Sequence, residues 1–178
     1  MAIRPLVSTF LLVTLGMLLY AWSAIAQADP ANGFALYMGP VYSHTPSSNI
    51  HTHGLSVNAD AQMALNRHWS LNPYLELSYE HTNQPYTVLS GSAGLQARYW
   101  VDHWFLGGQY LFHDENRRQS GNTTSAYYGA ALGMAAGWES DAHWSVVLEL
   151  NTFEAQGLRL NYNDSRTDVR LQIGYRWY

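Results

Sequence analysis

The sequence predicts an all-β chain, an eight-stranded antiparallel transmembrane β-barrel in up-and-down meander order. Three observations predict it. Apolar and polar residues alternate with period 2 through eight segments, which gives each segment one apolar and one wet face. The dipeptide His-Trp occurs at His68-Trp69, His103-Trp104 and His143-Trp144, 35 and 40 residues apart, each where one segment ends and the next begins. Every Trp beyond residue 28 falls on the same side of the hairpins. A membrane interface selects such a level, because the indole ring is apolar and its N–H is polar.

The elements follow in order. Residues 1–28 read as a secretory signal: Arg4 is a short positive region, the run from Leu6 to Trp22 is almost wholly apolar, and Ala26-Gln27-Ala28 is a small-x-small cleavage site. A retained anchor is the alternative; the cleavage site and the absence of a following basic cluster favour removal. Residues 29–178 then form one barrel domain. In strand 1, Phe34, Leu36 and Met38 are placed outside, with Tyr37 and Gly39 inside. Strand 2 sets Leu55, Val57, Ala59, Ala61, Met63 and Leu65 against Ser56, Asn58, Asp60 and Gln62. Strand 3 sets Trp69, Leu71, Pro73, Leu75, Leu77 and Tyr79 against Ser70, Asn72, Tyr74, Glu76, Ser78 and Glu80; Pro73 lacks an N–H, so a bulge or weak pairing is expected there. Strand 4 alternates Leu89, Gly91, Ala93, Leu95, Ala97 and Tyr99 with Ser90, Ser92, Gly94, Gln96 and Arg98. Strand 5 carries Trp104, Leu106, Tyr110 and Phe112 on one face and Gln109 and His113 on the other. Strand 6 opposes Tyr128, Leu132, Met134 and Trp138 to an inner face of Gly129, Ala131, Gly133, Ala135 and Gly137. Strand 7 sets Trp144, Val146, Leu148 and Leu150 against Ser145, Val147, Glu149 and Asn151. Strand 8 sets Val169, Leu171, Ile173, Tyr175 and Trp177 against Arg170, Gln172, Gly174 and Arg176.

The connections after strands 2, 4 and 6 are tight and carry His-Trp. Those after strands 1, 3, 5 and 7, at 43–53, 81–86, 114–125 and 154–166, are expected to be longer loops. Short turns face the periplasm and long loops face outward. Trp69, Trp104, Trp138, Trp144 and Trp177 are therefore expected to form a periplasmic aromatic belt. Tyr42, Tyr79, Tyr110, Phe112 and Tyr128 are expected to form the outer one.

Composition agrees. There is no cysteine, so disulfides hold nothing; a closed barrel is held by ladder hydrogen bonds that have no water to exchange with in the hydrocarbon zone. Every basic residue is Arg, which suits interior ion pairs through its planar fork and weaker hydration. Without Arg4 the expected mature chain has eight Arg against 13 acidic residues, a balance that disfavours a nucleic-acid partner. A water-soluble barrel of lipocalin type is the competing fold. It would crowd this aromatic set into a small lumen; the signal, the Trp level and the chain ending inside a strand favour lipid.

The last segment, Val169-Arg-Leu-Gln-Ile-Gly-Tyr-Arg-Trp-Tyr178, resembles the closing strand of the small outer-membrane barrel families, the OmpA-type transmembrane domain and its OmpX and opacity-type relatives. Those chains end on an alternating strand with a terminal aromatic, often Gly-Tyr-Arg-Phe; here Trp177 takes the aromatic place and Tyr178 follows. Leu36-Tyr37-Met38-Gly39 and Tyr42-Ser43 look like the family's first strand. The resemblance implies an outer-membrane location in a Gram-negative cell, and recognition of the closing strand by the barrel-assembly machinery. It implies little about activity, since such barrels include adhesins, stability proteins and enzymes.

Asp60, Glu76, Glu149 and Arg170 are expected at similar mid-barrel heights, with Arg98 and Arg176 nearer the periplasm. Glu149 and Arg170 are expected to pair directly. Eight strands enclose only room for side chains, so a structural network is favoured over a gated ion path. The glycines of strand 6 leave space that Tyr74 or Arg98 would fill; a pocket there would resemble the outer-membrane palmitoyltransferases. His68-Trp69-Ser70 and His143-Trp144-Ser145 resemble the His–Ser pair of lipid A deacylases, but they lie at the wrong end and occur twice, which favours turns and anchors. His44, His51 and His53 are weak metal candidates, with no third fixed ligand evident; no metal and no cofactor are expected. Arg117 and Arg118 are expected to face lipopolysaccharide phosphates. The favoured function is a non-enzymatic structural, surface-interaction or adhesion role, most simply as a monomer. A lipid A-modifying enzyme, and a narrow pore or ligand carrier, are the alternatives.

Overall fold

The computed structural model describes residues 32–119, 122–157 and 163–178; the expected signal, 1–28, lies outside them. Its strands are β1 (Gly33–Thr45), β2 (Ile50–Ala64), β3 (Trp69–Thr82), β4 (Thr87–Val101), β5 (Trp104–Gln119), β6 (Asn122–Glu139), β7 (Trp144–Gly157) and β8 (Asn163–Trp177). Each pairs antiparallel with the next in sequence order, and β1 pairs with β8 to close the barrel. Closure leaves no edge strand with unsatisfied backbone groups.

Alternation dictates the two faces. On β2, Leu55 and Val57 point out at 67% and 49% exposure, while the alternate residues Ser56, Asn58 and Asp60 are buried. The same parity runs through β8, where Val169, Leu171 and Ile173 are exposed and Arg170 and Gln172 are buried. The outward face is thus apolar and the interior polar, the inverse of a water-soluble barrel.

Two prolines interrupt ladders without shifting them. The β2–β3 pairing passes from Asp60↔Tyr74 to Met63↔Leu71 in unchanged register, skipping the two rungs at Pro73 and Asn72. The β1–β8 pairing skips Pro40 likewise, from Met38↔Ile173 to Val41↔Arg170. The expected weak pairing at Pro73 is present as two missing rungs, and the register does not shift there. A register shift does occur between Arg117 and Arg118 in the β5–β6 ladder.

The segments expected as outer loops are largely strand. β1 runs to Thr45 and β2 begins at Ile50, joined by a single 3-10 turn, Pro46–Ser48. β5 continues to Gln119, well past Phe112, and β6 begins at Asn122. The strands of 13–18 residues therefore exceed the apolar band, which itself needs about 9–11 residues per strand. The expected contrast of short turns and long loops becomes a contrast in strand overhang: at one end the hairpins turn at the Trp level, and at the other they project beyond the aromatic residues.

The His-Trp turns share one construction. The His68 carbonyl accepts from the Trp100 N–H at 2.7 Å, His103 from Glu139 at 2.8 Å, and His143 from Arg176 at 3.0 Å. Each histidine extends the ladder to the neighbouring strand, and the following Trp turns out: Trp69, Trp104 and Trp144 are all exposed. Trp138 pairs with Trp104 across β5–β6, and Trp177 packs on Tyr175 at 4.9 Å. Neither His-x-Ser pattern joins its own two side chains. Ser70 Oγ donates to Asn72 at 2.9 Å, Ser145 Oγ to Glu139 at 3.1 Å.

Candidate functional site

The lumen holds the densest chemistry, arranged in three arginine-centred groups. Nearest the Trp end, Arg176 donates from Nη1 to Asp60 at 3.1 Å, from Nε to Glu139 at 3.0 Å and from Nη2 to the Tyr37 hydroxyl at 2.8 Å. Arg98 donates to the other Asp60 oxygen and to Gln96, with its guanidinium 4.4 Å over the Phe105 ring. One carboxylate thus binds two guanidinium groups. At mid-height Arg170 lies 2.8 Å from Glu76, 3.7 Å from Glu149 and 2.7 Å from Asp168. The Tyr74 hydroxyl sits 2.9 Å from Glu76 and 3.0 Å from Glu149, and accepts from Asn58 at 2.8 Å. Toward the far end, Arg166 meets Asp168 at 2.8 Å, Glu115 at 2.7 Å and Glu80 at 2.5 Å. Asp168 therefore links the middle and outer groups.

All these side chains are almost wholly buried: Arg98, Arg170 and Arg176 are 1%, 1% and 0% exposed. Such charges persist only when paired and hydrogen-bonded. Three of the four buried arginines among the described residues, Arg166, Arg170 and Arg176, stand on β8.

Glu76, Glu149 and Arg170 meet at mid-height, and Glu149 is the cross-strand partner of Arg170. Asp60 does not join them; strand stagger drops it to the level of Arg98 and Arg176. Arg166, Glu115 and Asp168 lie in stretches where both faces become polar and the period-2 contrast fades, which hides them as network members; Glu80 is on the inner face of β3 by its alternation, and its meeting with Arg166 depends on the fold bringing the two together. A signal was available: continuing the inward parity of β8 by two steps from Arg170 reaches Asp168 and Arg166.

The space at Gly133 and Gly137 of β6 is filled by the neighbouring strands rather than from across the barrel. A Cβ at Gly133 would lie 1.7 Å from Asn151 Oδ1, and one at Gly137 2.4 Å from the Phe105 ring. Tyr74 does cross the lumen, packing with Leu111 and Ala131. Ser92 Oγ and His113 Nδ1 are 2.9 Å apart, but both residues are buried in the interior wall.

The outer rim differs from expectation. Arg117 lies within β5 and is held by Glu115 at 2.7 Å, its guanidinium 5.5 Å from the Tyr86 ring centre. It is half-buried, not a free surface cation. Arg118, the next residue, is exposed and lines an outer-wall groove of about 540 Å³ with Tyr79, His81, Tyr86 and Thr87. His44, His51 and His53 lie on strands, not on a mobile loop. His44 and His51 are ladder partners with rings stacked at 4.4 Å, and His53 pairs with His81. No group of three or more metal-ligating side chains converges among the described residues.

Fold and site together define a small eight-stranded transmembrane-type β-barrel with a polar lumen closed by ion pairs. No protein-family model matches the chain, and no curated protein sequence matches it. Solved structures do. The Neisserial surface protein A (NspA) aligns with TM-score 0.60 at 9% identity, over 85% of this chain and 100% of that one. Ail, the attachment invasion locus protein of Yersinia pestis, aligns with TM-score 0.57 at 8% identity, over 82% and 97%. The outer membrane enzyme PagL aligns with TM-score 0.51 at 13% identity, over 82% and 99%. The chain has the fold of the small outer-membrane barrels; at these identities the likeness is one of fold.

Proposed function

We infer that the protein is an outer-membrane barrel with a structural or surface-interaction role, its Trp end toward the periplasm and its projecting hairpins outside. The observation that carries this reading is the paired lumen: arginines, carboxylates and amides from different strands meet one another across the interior, so most of its charged groups are already engaged. The apolar outer wall with aromatic residues at both levels supports membrane insertion. The overhanging hairpins supply the surface for contact, and the attachment invasion locus protein Ail and the Neisserial surface protein NspA have the same fold.

Two alternatives are separable. PagL shows that this fold can carry an enzyme, but the described Ser92–His113 contact is walled into the interior, away from lipid. Mass analysis of lipid A from cells with and without the protein is expected to show no difference; a defined acyl change would replace the structural reading by an enzymatic one. Single-channel recording in planar bilayers is expected to show no steady conductance; a conductance abolished by changing Arg170 would establish a pore. Carbonate extraction is expected to leave the protein in the membrane fraction.

The lipid partner on this reading is lipopolysaccharide, met at the outer groove by Arg118 rather than Arg117. Arg118→Ala is expected to weaken lipopolysaccharide binding by the refolded protein, and Arg117→Ala to have little effect on it; the reverse order would remove the assignment. Recognition of the closing strand by the barrel-assembly machinery belongs to the same reading, with Trp177 as the aromatic presented. Its test is assembly of Trp177→Ala in cells, where loss of the folded form is expected.

A further inference from the structure

Four of the chain's eight histidines gather on one patch of the outer wall, on β1, β2 and β3. His44 and His51 are opposite each other in the β1–β2 ladder, and His53 and His81 in the β2–β3 ladder. Alternation turns all four outward, just beyond Tyr42, Leu55 and Tyr79. The two pairs differ in what already occupies them. His51 is committed on both nitrogens, Nδ1 to the Tyr42 hydroxyl at 2.7 Å and Nε2 to the Asn49 side-chain oxygen at 3.3 Å. Its ring is stacked flat on His44, 18° from parallel, a geometry that points both sets of lone pairs away from a common centre.

His53 and His81 are exposed, and neither ring makes a hydrogen bond with any described residue. Their centroids are 6.2 Å apart with the planes tilted by 40°. Metal–imidazole bonds of about 2.0–2.1 Å on one ion set ring centres roughly 4.5–6.5 Å apart, according to the angle at the metal. The observed spacing falls inside that interval, so chelation needs side-chain rotation only. The Tyr79 ring meets His81 edge-on at 5.2 Å and limits its swing.

We propose that His53 and His81 chelate one divalent transition-metal ion across the β2–β3 ladder, with water completing its coordination. Imidazole selects Cu²⁺, Ni²⁺ and Zn²⁺ over Mg²⁺ and Ca²⁺, and Cu²⁺ binds tightest in the first-row order. The site faces outward beside the apolar band, where an ion in the surrounding medium reaches it without crossing the barrel.

The test uses the full barrel refolded in detergent without a polyhistidine tag. Zn²⁺ is titrated calorimetrically, and the Cu²⁺ form is examined by electron paramagnetic resonance for coupling to imidazole nitrogen. One equivalent and nitrogen coupling are expected. Losing a mere second-shell partner costs about 10–100-fold in affinity, so His53→Ala and His81→Ala should each weaken binding at least about tenfold. His44→Ala/His51→Ala should bind like the parent. Both histidines are exposed, so the heat-modifiable gel shift should persist in every variant; where His53→Ala fails to fold, His53→Gln takes its place. No Zn²⁺ binding by the parent, parental affinity in His53→Ala/His81→Ala, or equal loss in His44→Ala/His51→Ala would each overturn the proposal.

Discussion

Arg170→Ala is the sharpest test of the lumen. The guanidinium lies within ion-pair distance of three carboxylates, Glu76 at 2.8 Å, Asp168 at 2.7 Å and Glu149 at 3.7 Å, all at most 1% exposed. Asp168 keeps a second partner, Arg166 at 2.8 Å. Glu76 and Glu149 keep the Tyr74 hydroxyl, whose one proton serves them one at a time. Removing one partner of a buried ion pair costs about 3–5 kcal/mol, roughly two to three and a half orders of magnitude in the folding equilibrium. The cost is that of stranded charge rather than of lost attraction, so neutralising a stranded carboxylate should relieve it. Arg170→Met/Glu76→Gln should recover more than half of the loss. Urea unfolding in phospholipid vesicles, followed by Trp fluorescence and gel shift, measures both. A loss under about 1 kcal/mol for Arg170→Ala would place Arg170 in the range of a solvated surface pair and refute the sealed lumen; a double variant no better than the single would refute the stranded-charge account.

Three other perturbations follow from the same geometry. Leu132, 68% exposed on the lipid face of β6, should cost about 2–4 kcal/mol as Leu132→Arg if it lies near the bilayer midplane; vesicle unfolding checks it, and a neutral result would mean that this wall faces water. Gly94→Ala places a Cβ 2.0 Å from the Tyr110 carbonyl oxygen, whereas a Cβ at Gly108 meets nothing within 4 Å. Urea midpoints should show a loss of about 1–3 kcal/mol for the first and a change within about 0.5 kcal/mol for the second. The Tyr178 phenol is pushed above the ordinary tyrosine range by burial and by donating to Glu139. A value raised on folding stabilises the protein fully below the unfolded value of about 10 and less as the pH rises through the folded one. Tyr178→Phe should therefore flatten the change in urea midpoint between about pH 9 and pH 12; an unchanged slope would show that Tyr178 is not linked to folding.

The wall was legible because lipid and lumen demand opposite chemistries at adjacent residues. Leu55 and Val57, alternating with Ser56 and Asn58, announce their strand without any partner in view. The lumen's membership was legible for the same reason, but its pairings were not. Which carboxylate meets which arginine depends on strand stagger, a property of all eight ladders at once, so Asp60 went to Arg98 and Arg176 instead of joining Glu76 and Glu149. The overhangs were illegible locally: past Phe112 both sides of β5 are wet, Asp114, Glu115, Asn116 and Arg117 share no period, and the segment reads as loop until β4 and β6 are seen pairing with it.

The placement of three buried arginines on β8 has a consequence for the order in which the barrel is made. β8 is the last of the eight strands in sequence order, and its ladder with β1 joins the last strand to the first. Until it docks, Asp60, Glu76, Glu80, Glu115 and Glu149 line an open sheet with Arg98 as the one buried cation among the described residues of β1–β7. That surface repels itself and attracts the arriving strand. A one-residue slip would turn Arg170 and Arg176 onto the apolar outer face, so that error in the closing register carries a large electrostatic cost. Charge therefore favours the docked β8 over the open sheet, and an incompletely shut intermediate would be marked by its acidity.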